Sequence, residues 1–368
     1  MNRSDEVESK LDALRGWLDH IDLDAVLISS QGGFAWVTGG GDNCVSLGEE
    51  AGAASVLVTR EDAYLLAANL ELRRVVEEQV AGAPLTPVDW PWHDEEGEGQ
   101  IVERLCDPAR AVSDLGRLGL PGAPPELAEL RLTLLPPELD RYRRLGRDAA
   151  EALEVACLAA RAGDREVDVA ARLAHECRRR GIAPLVNLVG ADERIARYRH
   201  PVPTERRLEA TLLVAVTGRR HGLHASLTRM VHHGTPDGDL LARHTAVVRV
   251  DARLVVESRA GTKLGEVFER GVEQYDREGF GGEWRLHHQG GLTGYAGREV
   301  FATPRCPHLL RSGQVVAWNP SITRVKSEDT VLVTADGHEV LTRTGVWPEV
   351  DVEVTAGAAV PRPALLIR

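Results

Sequence analysis

The sequence is poor in cysteine and has no long apolar run. Its 368 residues include five cysteines, an odd number without CxxC spacing, which indicates reduced thiols and excludes a disulfide framework or a zinc knuckle. No apolar stretch approaches the length that spans a membrane. The charged opening, MNRSDEVESK, lacks the apolar core of a secretory signal. We therefore expect a cytoplasmic protein with no membrane partner.

Basic residues are also fewer than acidic ones. There are 44 lysines and arginines against 56 aspartates and glutamates, which gives a formal net charge of −12. A general nucleic-acid binder needs a basic surface that replaces the counterions of the phosphates. Nucleic acid is therefore excluded as the main partner. The hydrophobic share of 43% is that of a folded protein, and the length suffices for two domains.

The first part of the chain predicts a small α/β domain over residues 1–135. Its signals are an amphipathic helical pattern, short apolar runs and turn residues between them. The predicted elements are a helix over 7–20, a strand over 25–28 followed by a turn at Gln31–Gly33, a hairpin within 54–66, and a proline-rich linker between 121 and 137.

The second part predicts an α+β domain over residues 136–368. Two long helical patterns open it, the second of them capped by Asp164, and a further helix is predicted over 262–278. The predicted strands cover 212–216, 227–231, 246–250, 315–318 and 330–334. Two helices followed by strands, a helix and more strands are typical of an α+β order rather than of regular βαβ winding.

Two pairs of adjacent histidines, His232–His233 and His287–His288, suggest metal ligands at first sight. Neighbouring residues of a strand point to opposite faces of the sheet. On a strand neither pair could chelate an ion as a unit, so we expect turn or surface histidines here.

The most specific signal is a set of four segments in a fixed order. They are RHPVPT (199–204), VAVTG (214–218) with GLHASLTR (222–229), HHQGGLTGYAGRE (287–299), and GQVVAWNP (313–320) with SEDTVLVT (327–334). In this order and spacing they resemble the pita-bread superfamily of Xaa-Pro peptidases, methionine aminopeptidases and creatinase. WVTG at 36–39 resembles a recurrent piece of the smaller N-terminal domain of that superfamily. The resemblance implies a creatinase-like α/β domain followed by a pita-bread domain.

The resemblance also locates the metal ligands of the family. Its peptidases bind two divalent metal ions through two aspartates, one histidine and two glutamates. Those positions fall here on Ala215, Ser226, Gly291, Asn319 and Glu328. One carboxylate, a serine and an asparagine cannot hold two such ions, so we predict no metal and no cofactor at these positions. We also expect that replacing the four lost ligands together would restore some metal binding.

Creatinase, which hydrolyses a C–N bond without metal, is the relative that guides the candidate site. The resemblance implies His200, Glu328 and Glu299 as catalytic residues. It implies Arg298, His224, Arg229, Ser226, Asn319 and His287 as substrate-binding residues. His200 is either an acid/base or a support for its loop. Arg298 is either an anion clamp or the partner of Glu328 or Glu299 in an ion pair.

These residues leave two principal hypotheses. The first is a metal-independent hydrolase of a C–N bond in a small, polar, anionic substrate, with creatine itself excluded by the scarcity of carboxylates. The second is an inactive relative that binds a peptide, a metabolite or a protein partner. A working Xaa-Pro metallopeptidase is the third and least supported reading. We expect a small molecule or short peptide as ligand, and the resemblance implies a homodimer.

The two principal hypotheses differ in what the cavity should contain. Convergence of His200, Glu328 and Arg298 on one open cavity favours catalysis. A cavity filled by Trp318, or a buried ion pair between Arg298 and Glu328, favours a binding scaffold.

Overall fold

A computed structural model describes residues 1–355 and 358–368 of the chain. It divides the chain into two units, the first comprising 1–139 and 221–223 and the second comprising 140–220 and 224–368. No helix among the described residues is long and apolar enough to cross a membrane.

The first unit is built on a mixed sheet. Its elements are α1 (Arg3–His20), β1 (Ala25–Ser30), α2 (Gln31–Val37), β2 (Ala51–Thr59), β3 (Ala63–Ala68), α3 (Asn69–Arg74), β4 (Thr86–Trp90), α4 (Gly97–Leu105), β5 (Ala111–Ser113) and α5 (Glu126–Glu129). The strands are ordered β4-β3-β2-β1-β5. The predicted hairpin is β2 and β3, which pair antiparallel. The predicted first helix is α1, whose buried face includes Val7, Leu11 and Leu14.

The second unit begins within α6 (Pro136–Ala159) and carries the longer helices. Its further elements are α7 (Glu166–Arg178), β6 (Ala183–Ala191), α8 (Glu193–Arg197), β7 (Thr211–Arg220), β8 (Leu223–His232), α9 (Gly238–Glu257), α10 (Leu264–Arg277), β9 (Gly290–Thr293), β10 (Val300–Phe301), β11 (Val315–Trp318), β12 (Ser321–Ile322), β13 (Val325–Lys326), β14 (Asp329–Val333), β15 (His338–Val340), β16 (Glu349–Thr355), β17 (Ala358–Pro363) and β18 (Leu366–Ile367).

Two sheets of this unit meet where the candidate residues lie. One sheet has the order β18-β8-β7-β6 and the other the order β10-β9-β11-β14-β15. The amide of Thr228 on β8 donates to the carbonyl oxygen of Glu328, just before β14, at 3.1 Å. This hydrogen bond joins the two sheets at Glu328 and fixes the backbone of that residue.

One predicted strand is wrong. Residues 246–250 lie in the middle of α9, and all but Arg249 are buried. A short apolar run cannot distinguish a strand from a helix that is buried on most sides. The side chain of Asp237 accepts a hydrogen bond from the amide of Leu240 and caps the start of α9.

Two helix starts also differ from the prediction. Gln31–Gly33 is not a turn but the first part of α2, because the hydroxyl of Ser30 accepts from the amide of Gly33 at 3.0 Å and caps the helix. Asp164 is not the cap of α7, whose cap position is Arg165. The residue at which a helix begins depends on the backbone dihedral angles of a single cap residue. The sequence composition does not determine these angles.

His244 on α9 gives the second unit a predictable acid sensitivity. Burial lowers the pKa of this imidazole to about 4 from 6.5. The unfolded chain therefore binds a proton between these values that the folded chain does not bind, so stability falls with falling pH in this window. Above pH 6.5 the full contribution, about 3 kcal/mol, is present. We expect the wild type to lose about 2 kcal/mol more than His244→Leu between pH 7 and pH 5 in urea unfolding.

His175, an exposed histidine on α7, supplies the control for this measurement. His175→Gln should keep the pH dependence of the wild type. Equal pH dependence in the wild type and in His244→Leu would show that His244 takes up its proton normally in the folded state.

Candidate functional site

A cavity of about 300 Å³ opens in the second unit beside the junction of its two sheets. One wall is apolar and consists of Leu185, Val186 and Leu188 from β6 with Ala215 and Val216 from β7. The rest of the lining is mostly polar and includes Thr217, His200, His224, His288, Arg298, Asn319, Lys326 and Glu328.

Glu328 is the centre of this polar lining. Its Oε2 accepts from the hydroxyl of Thr228 at 2.6 Å and lies 2.9 Å from Nζ of Lys326. Its Oε1 lies 3.6 Å from Nη2 of Arg298. Burial alone would raise the pKa of this carboxyl, but Lys326, Arg298 and the Thr228 hydroxyl outweigh it and hold the pKa below its usual value. Glu328 is therefore an ionised carboxylate held by two cations.

Lys326 is the residue of this site that sequence reasoning missed. Residues two apart on an extended segment share a face, so Lys326 stands beside Glu328, and its side chain is only 6% exposed. Lys326 adds a second cation to the pocket. Among the described residues, the cavity is lined by the cations Arg298 and Lys326 and by the one carboxylate of Glu328. The site carries a net positive charge.

Arg298 retains unused donor capacity. Its Nη1 donates to the carbonyl oxygen of Gly297 at 2.6 Å, and its Nε has no hydrogen-bond acceptor in the part of the chain that the structure describes. The side chain is 10% exposed. Burial lowers the pKa of the guanidinium while Glu328 raises it. A buried cation of this kind is stabilised by a further anion.

Three histidines gather at the cavity. Nε2 of His200 lies 3.0 Å from Nε2 of His287, and the ring of His287 stacks on that of His288 with centroids 4.4 Å apart. Burial and the neighbouring Lys326 lower the pKa of His200. Burial first, and then nearby cations, lower the pKa of His287 to about 2 and that of His288 to about 4. All three rings are neutral at neutral pH.

His287 and His288 lie in a loop, as expected of turn histidines. His287 and His288 follow a short helical turn and lie outside any strand. The alternation argument therefore does not apply to them, and ring nitrogens of His200, His287 and His288 lie within 4.8 Å of one another.

Five of the predicted site residues line the cavity, and they are His200, His224, Arg298, Asn319 and Glu328. His224 shares a hydrogen bond through Nδ1 with the carbonyl oxygen of Gly294 at 3.2 Å. The Oδ1 atom of Asn319 is buried, and no donor among the described residues contacts it.

The other predicted residues lie elsewhere. Ser226 is fully buried, and its hydroxyl is hydrogen bonded to that of Thr217 at 2.9 Å. Arg229 is buried and donates to Asp329 at 3.0 Å. His287 contacts the other histidines behind the cavity wall. The backbone amide of Glu299 donates to the carbonyl oxygen of Leu292. Glu299 is not part of the cavity lining.

Trp318 does not fill the cavity. It is fully buried, and its indole N–H donates to the hydroxyl of Ser258 at 2.8 Å. The features that separate the two hypotheses are thus divided. His200, Glu328 and Arg298 converge on one cavity, while Arg298 and Glu328 form a buried ion pair.

The five metal-ligand positions that the resemblance indicates do not fit a dinuclear centre. Ala215 and Gly291 offer no side-chain donor, Ser226 is engaged by Thr217, and both oxygens of Glu328 are held by cations or a hydroxyl. An uncharged amide at Asn319 adds no negative charge. Divalent ions of this type need several anionic or imidazole ligands, and these positions supply one engaged carboxylate.

Gly291 shows that the site is closed to the missing histidine. Its φ is +147°, and a Cβ added there would lie 2.1 Å from the carbonyl oxygen of Val300. Val300 belongs to β10, which pairs with β9 at this point. This contact opposes the expected recovery of metal binding by four restored side chains, because a histidine at 291 would first have to separate β9 from β10.

This close approach predicts a large effect of a small substitution. Gly291→Ala should lower the free energy of unfolding by at least about 2 kcal/mol, because the new methyl group overlaps the carbonyl oxygen of Val300. Gly297→Ala is the matched control, since a Cβ there meets nothing within 4 Å; it should change stability by less than about 0.5 kcal/mol. Equal midpoints for the two variants in urea unfolding would contradict the close pairing of β9 and β10.

The ion-pair cluster predicts a rescue. Glu328→Gln leaves Arg298 and Lys326 without their buried counter-charge and should cost about 3 kcal/mol. Adding Lys326→Met to this variant removes one of the two unpaired cations and should recover part of that loss. The check is urea unfolding of both single variants and the double variant. Strictly additive losses would show that Lys326 and Glu328 do not interact.

Sequence comparison identifies relatives of the second unit. The sequence model of metallopeptidase family M24 matches residues 140–335. An uncharacterized peptidase of Staphylococcus haemolyticus is 24% identical over 228 residues, 59% of this chain and 64% of that protein. A Xaa-Pro dipeptidase of Pyrococcus furiosus is 24% identical over 230 residues, 59% of this chain and 65% of that protein. The chain thus spans slightly less than two thirds of the length of these curated relatives.

Structural comparison covers nearly the whole chain. The prolidase of Pyrococcus horikoshii matches with a TM-score of 0.78 at 18% identity, over 91% of this chain and 98% of that chain. At this identity the likeness shows the fold alone, and it confirms the predicted pita-bread fold class. Because the family match extends over more than half of the chain, this protein belongs to metallopeptidase family M24.

Proposed function

We propose that this family member hydrolyses a C–N bond in a small, carboxylate-bearing substrate without the dinuclear metal centre. The observation that carries the proposal is the excess of cations in the cavity. Arg298 and Lys326 face one carboxylate, Glu328, in a space that the neutral His200 also lines. Family membership supports a peptidase-like reaction, since the matched relatives are named as a peptidase and a Xaa-Pro dipeptidase.

The cations provide the recognition of the substrate. A carboxylate entering the cavity restores the charge balance that Lys326 upsets and engages the unused Nε donor of Arg298. A cavity of about 300 Å³ is at the small end of ligand sites. Its apolar wall of Leu185, Val186 and Leu188 favours a short aliphatic group on the substrate.

His200 provides the proton transfer. Its lowered pKa keeps a lone pair on the imidazole at neutral pH, as a general base requires. In the proposed reaction the imidazole takes one proton from a water molecule as its oxygen adds to the carbon of the C–N bond. The same proton then passes to the nitrogen, which leaves as the bond breaks. Protons balance, and the imidazole returns to its starting state.

Glu328 acts in this proposal by holding the cations. Both of its oxygens are engaged, one by Lys326 and Thr228 and the other by Arg298. It therefore fixes the position of the two groups that bind the substrate carboxylate.

Binding without turnover is the second candidate. It is favoured by the placement of Glu299 and Ser226, two of the polar groups expected to act, which are not part of the cavity lining. In that case the cavity retains its ligand and His200 supports the wall.

Carboxylate binding is tested with a pair of ligands of equal shape, isovalerate and isovaleramide, by calorimetry. The wild type should prefer the carboxylate. Arg298→Met should weaken isovalerate binding roughly 10- to 100-fold, because a charge-assisted hydrogen bond contributes about 1.5–3 kcal/mol. Arg305→Met, at an exposed arginine remote from the cavity lining, should bind as the wild type does. Equal binding of the acid and the amide would overturn the proposal.

Hydrolysis is tested on N-acetyl and N-carbamoyl derivatives of valine and leucine and on a leucyl-proline dipeptide, with products followed by proton NMR. Turnover by the wild type, abolished in His200→Ala while isovalerate affinity remains, supports the base. Isovalerate binding without turnover of any of these compounds would replace hydrolysis by the binding function.

A further inference from the structure

We propose that His200, His287 and His288 form a site for one divalent transition-metal ion of the zinc class, separate from the dinuclear centre of the family. None of the three stands at a position that the family uses for its metal ions. The site therefore neither depends on those positions nor is affected by their loss.

The spacing of the ring nitrogens carries the proposal. One nitrogen from each ring lies within 4.8 Å of the other two, and the two Nε2 atoms of His200 and His287 are 3.0 Å apart. Two nitrogens bound to one zinc ion at about 2.1 Å lie roughly 3.4 Å apart at the tetrahedral angle and roughly 3.0 Å apart at a right angle. Two of the three nitrogens thus already have the separation of ligands, and rotation of the exposed His288 ring brings in the third.

The backbone holds the cluster in place before any ion arrives. The side chain of Gln289 donates to the carbonyl oxygen of His287 at 2.6 Å, and the amide of Asn319 donates to the carbonyl oxygen of Gln289 at 3.0 Å. On the other side, the carbonyl oxygen of Pro201 accepts from the amide of Val189 on β6. The two segments that carry the histidines are therefore held by hydrogen bonds to β6 and to the residue that follows β11.

The protein alone does not satisfy the polar atoms of the cluster. The ring nitrogen Nδ1 of His287 is buried and has no hydrogen-bond partner in residues 1–355 or 358–368. At the other ring nitrogen, only one proton can lie between the facing Nε2 atoms of His200 and His287. Coordination of an ion by the two Nε2 atoms would remove this conflict, because both nitrogens would then present lone pairs to the ion.

The type of the ligand atoms determines which ion fits the site. Arg199 pairs with Glu283, and Glu328 is shared by Arg298 and Lys326, so one positive charge near the cluster is uncompensated. The three ligands themselves are neutral imidazoles and include no carboxylate. Magnesium, calcium and manganese prefer oxygen ligands, whereas imidazole suits zinc, copper and nickel. Three imidazoles also leave a fourth position open, as in zinc sites that are not purely structural.

An ion at this site would change the role of His200. A nitrogen lone pair that binds a metal ion cannot accept a proton. The loaded protein should keep its cationic groups for carboxylate binding while His200 no longer serves as a base. The metal site does not rest on the proposed hydrolysis, because it can exist in a protein that only binds its ligand.

The test uses the purified full chain after treatment with a chelator, and the probes are Zn²⁺ in calorimetry and Co²⁺ in visible absorbance. We expect one equivalent of zinc per chain and a Co²⁺ spectrum of low coordination number. His287→Ala and His288→Ala should each weaken binding by at least roughly 10- to 100-fold, since even the loss of outer-shell partners has this effect. His175→Ala, on the exposed face of α7, should bind as the wild type does.

Thermal unfolding of each variant without metal establishes that it folds. Absence of saturable binding, or equal affinity in the wild type and in a folded His288→Ala variant, would overturn the proposal. Two equivalents of metal that persist in both histidine variants would also overturn it, because they would place the ions elsewhere. The measurement contains no substrate, so a negative result leaves the proposed hydrolysis to its own experiments.

Discussion

The second unit depends on one buried carboxylate. Glu328 accepts from Thr228, pairs with Lys326 and Arg298, and sits where β8 is hydrogen bonded to the segment before β14. The same residue therefore joins two sheets and fixes two cations on the wall of a cavity. In a medium of low dielectric constant, a group with three such partners cannot be exchanged without disturbing all of them. The fold and the charge of the site are set by the same contacts.

A second buried network shows that a family-like residue need not act on a ligand. Arg229 ends the strand motif that the resemblance identified, yet its guanidinium binds Asp329 and the carbonyl oxygen of Thr342. Arg362 pairs with Asp329 and with Asp251 from α9. These residues fasten β8, β14, β17 and α9 together. Arg229 is thus accounted for by packing in this chain.

The sequence allowed the fold class and most of the cavity to be predicted, but not its charge. The order and spacing of four segments identified His200, Arg298, Asn319 and Glu328, all of which line one cavity. Lys326 was missed because it stands one residue before the segment that carried the resemblance, although its i, i+2 relation to Glu328 was a usable signal. The grouping of His287 and His288 with His200 was missed for another reason. It depends on a loop conformation, and adjacent residues in a loop follow no periodic rule.

The contact at Gly291 has a consequence for how this chain could change. The backbone oxygen of Val300 occupies the space in which any side chain at 291 would begin. A histidine at 291 is therefore possible only together with a change in the pairing of β9 with β10. In evolutionary terms, the close approach of these strands confines position 291 to glycine.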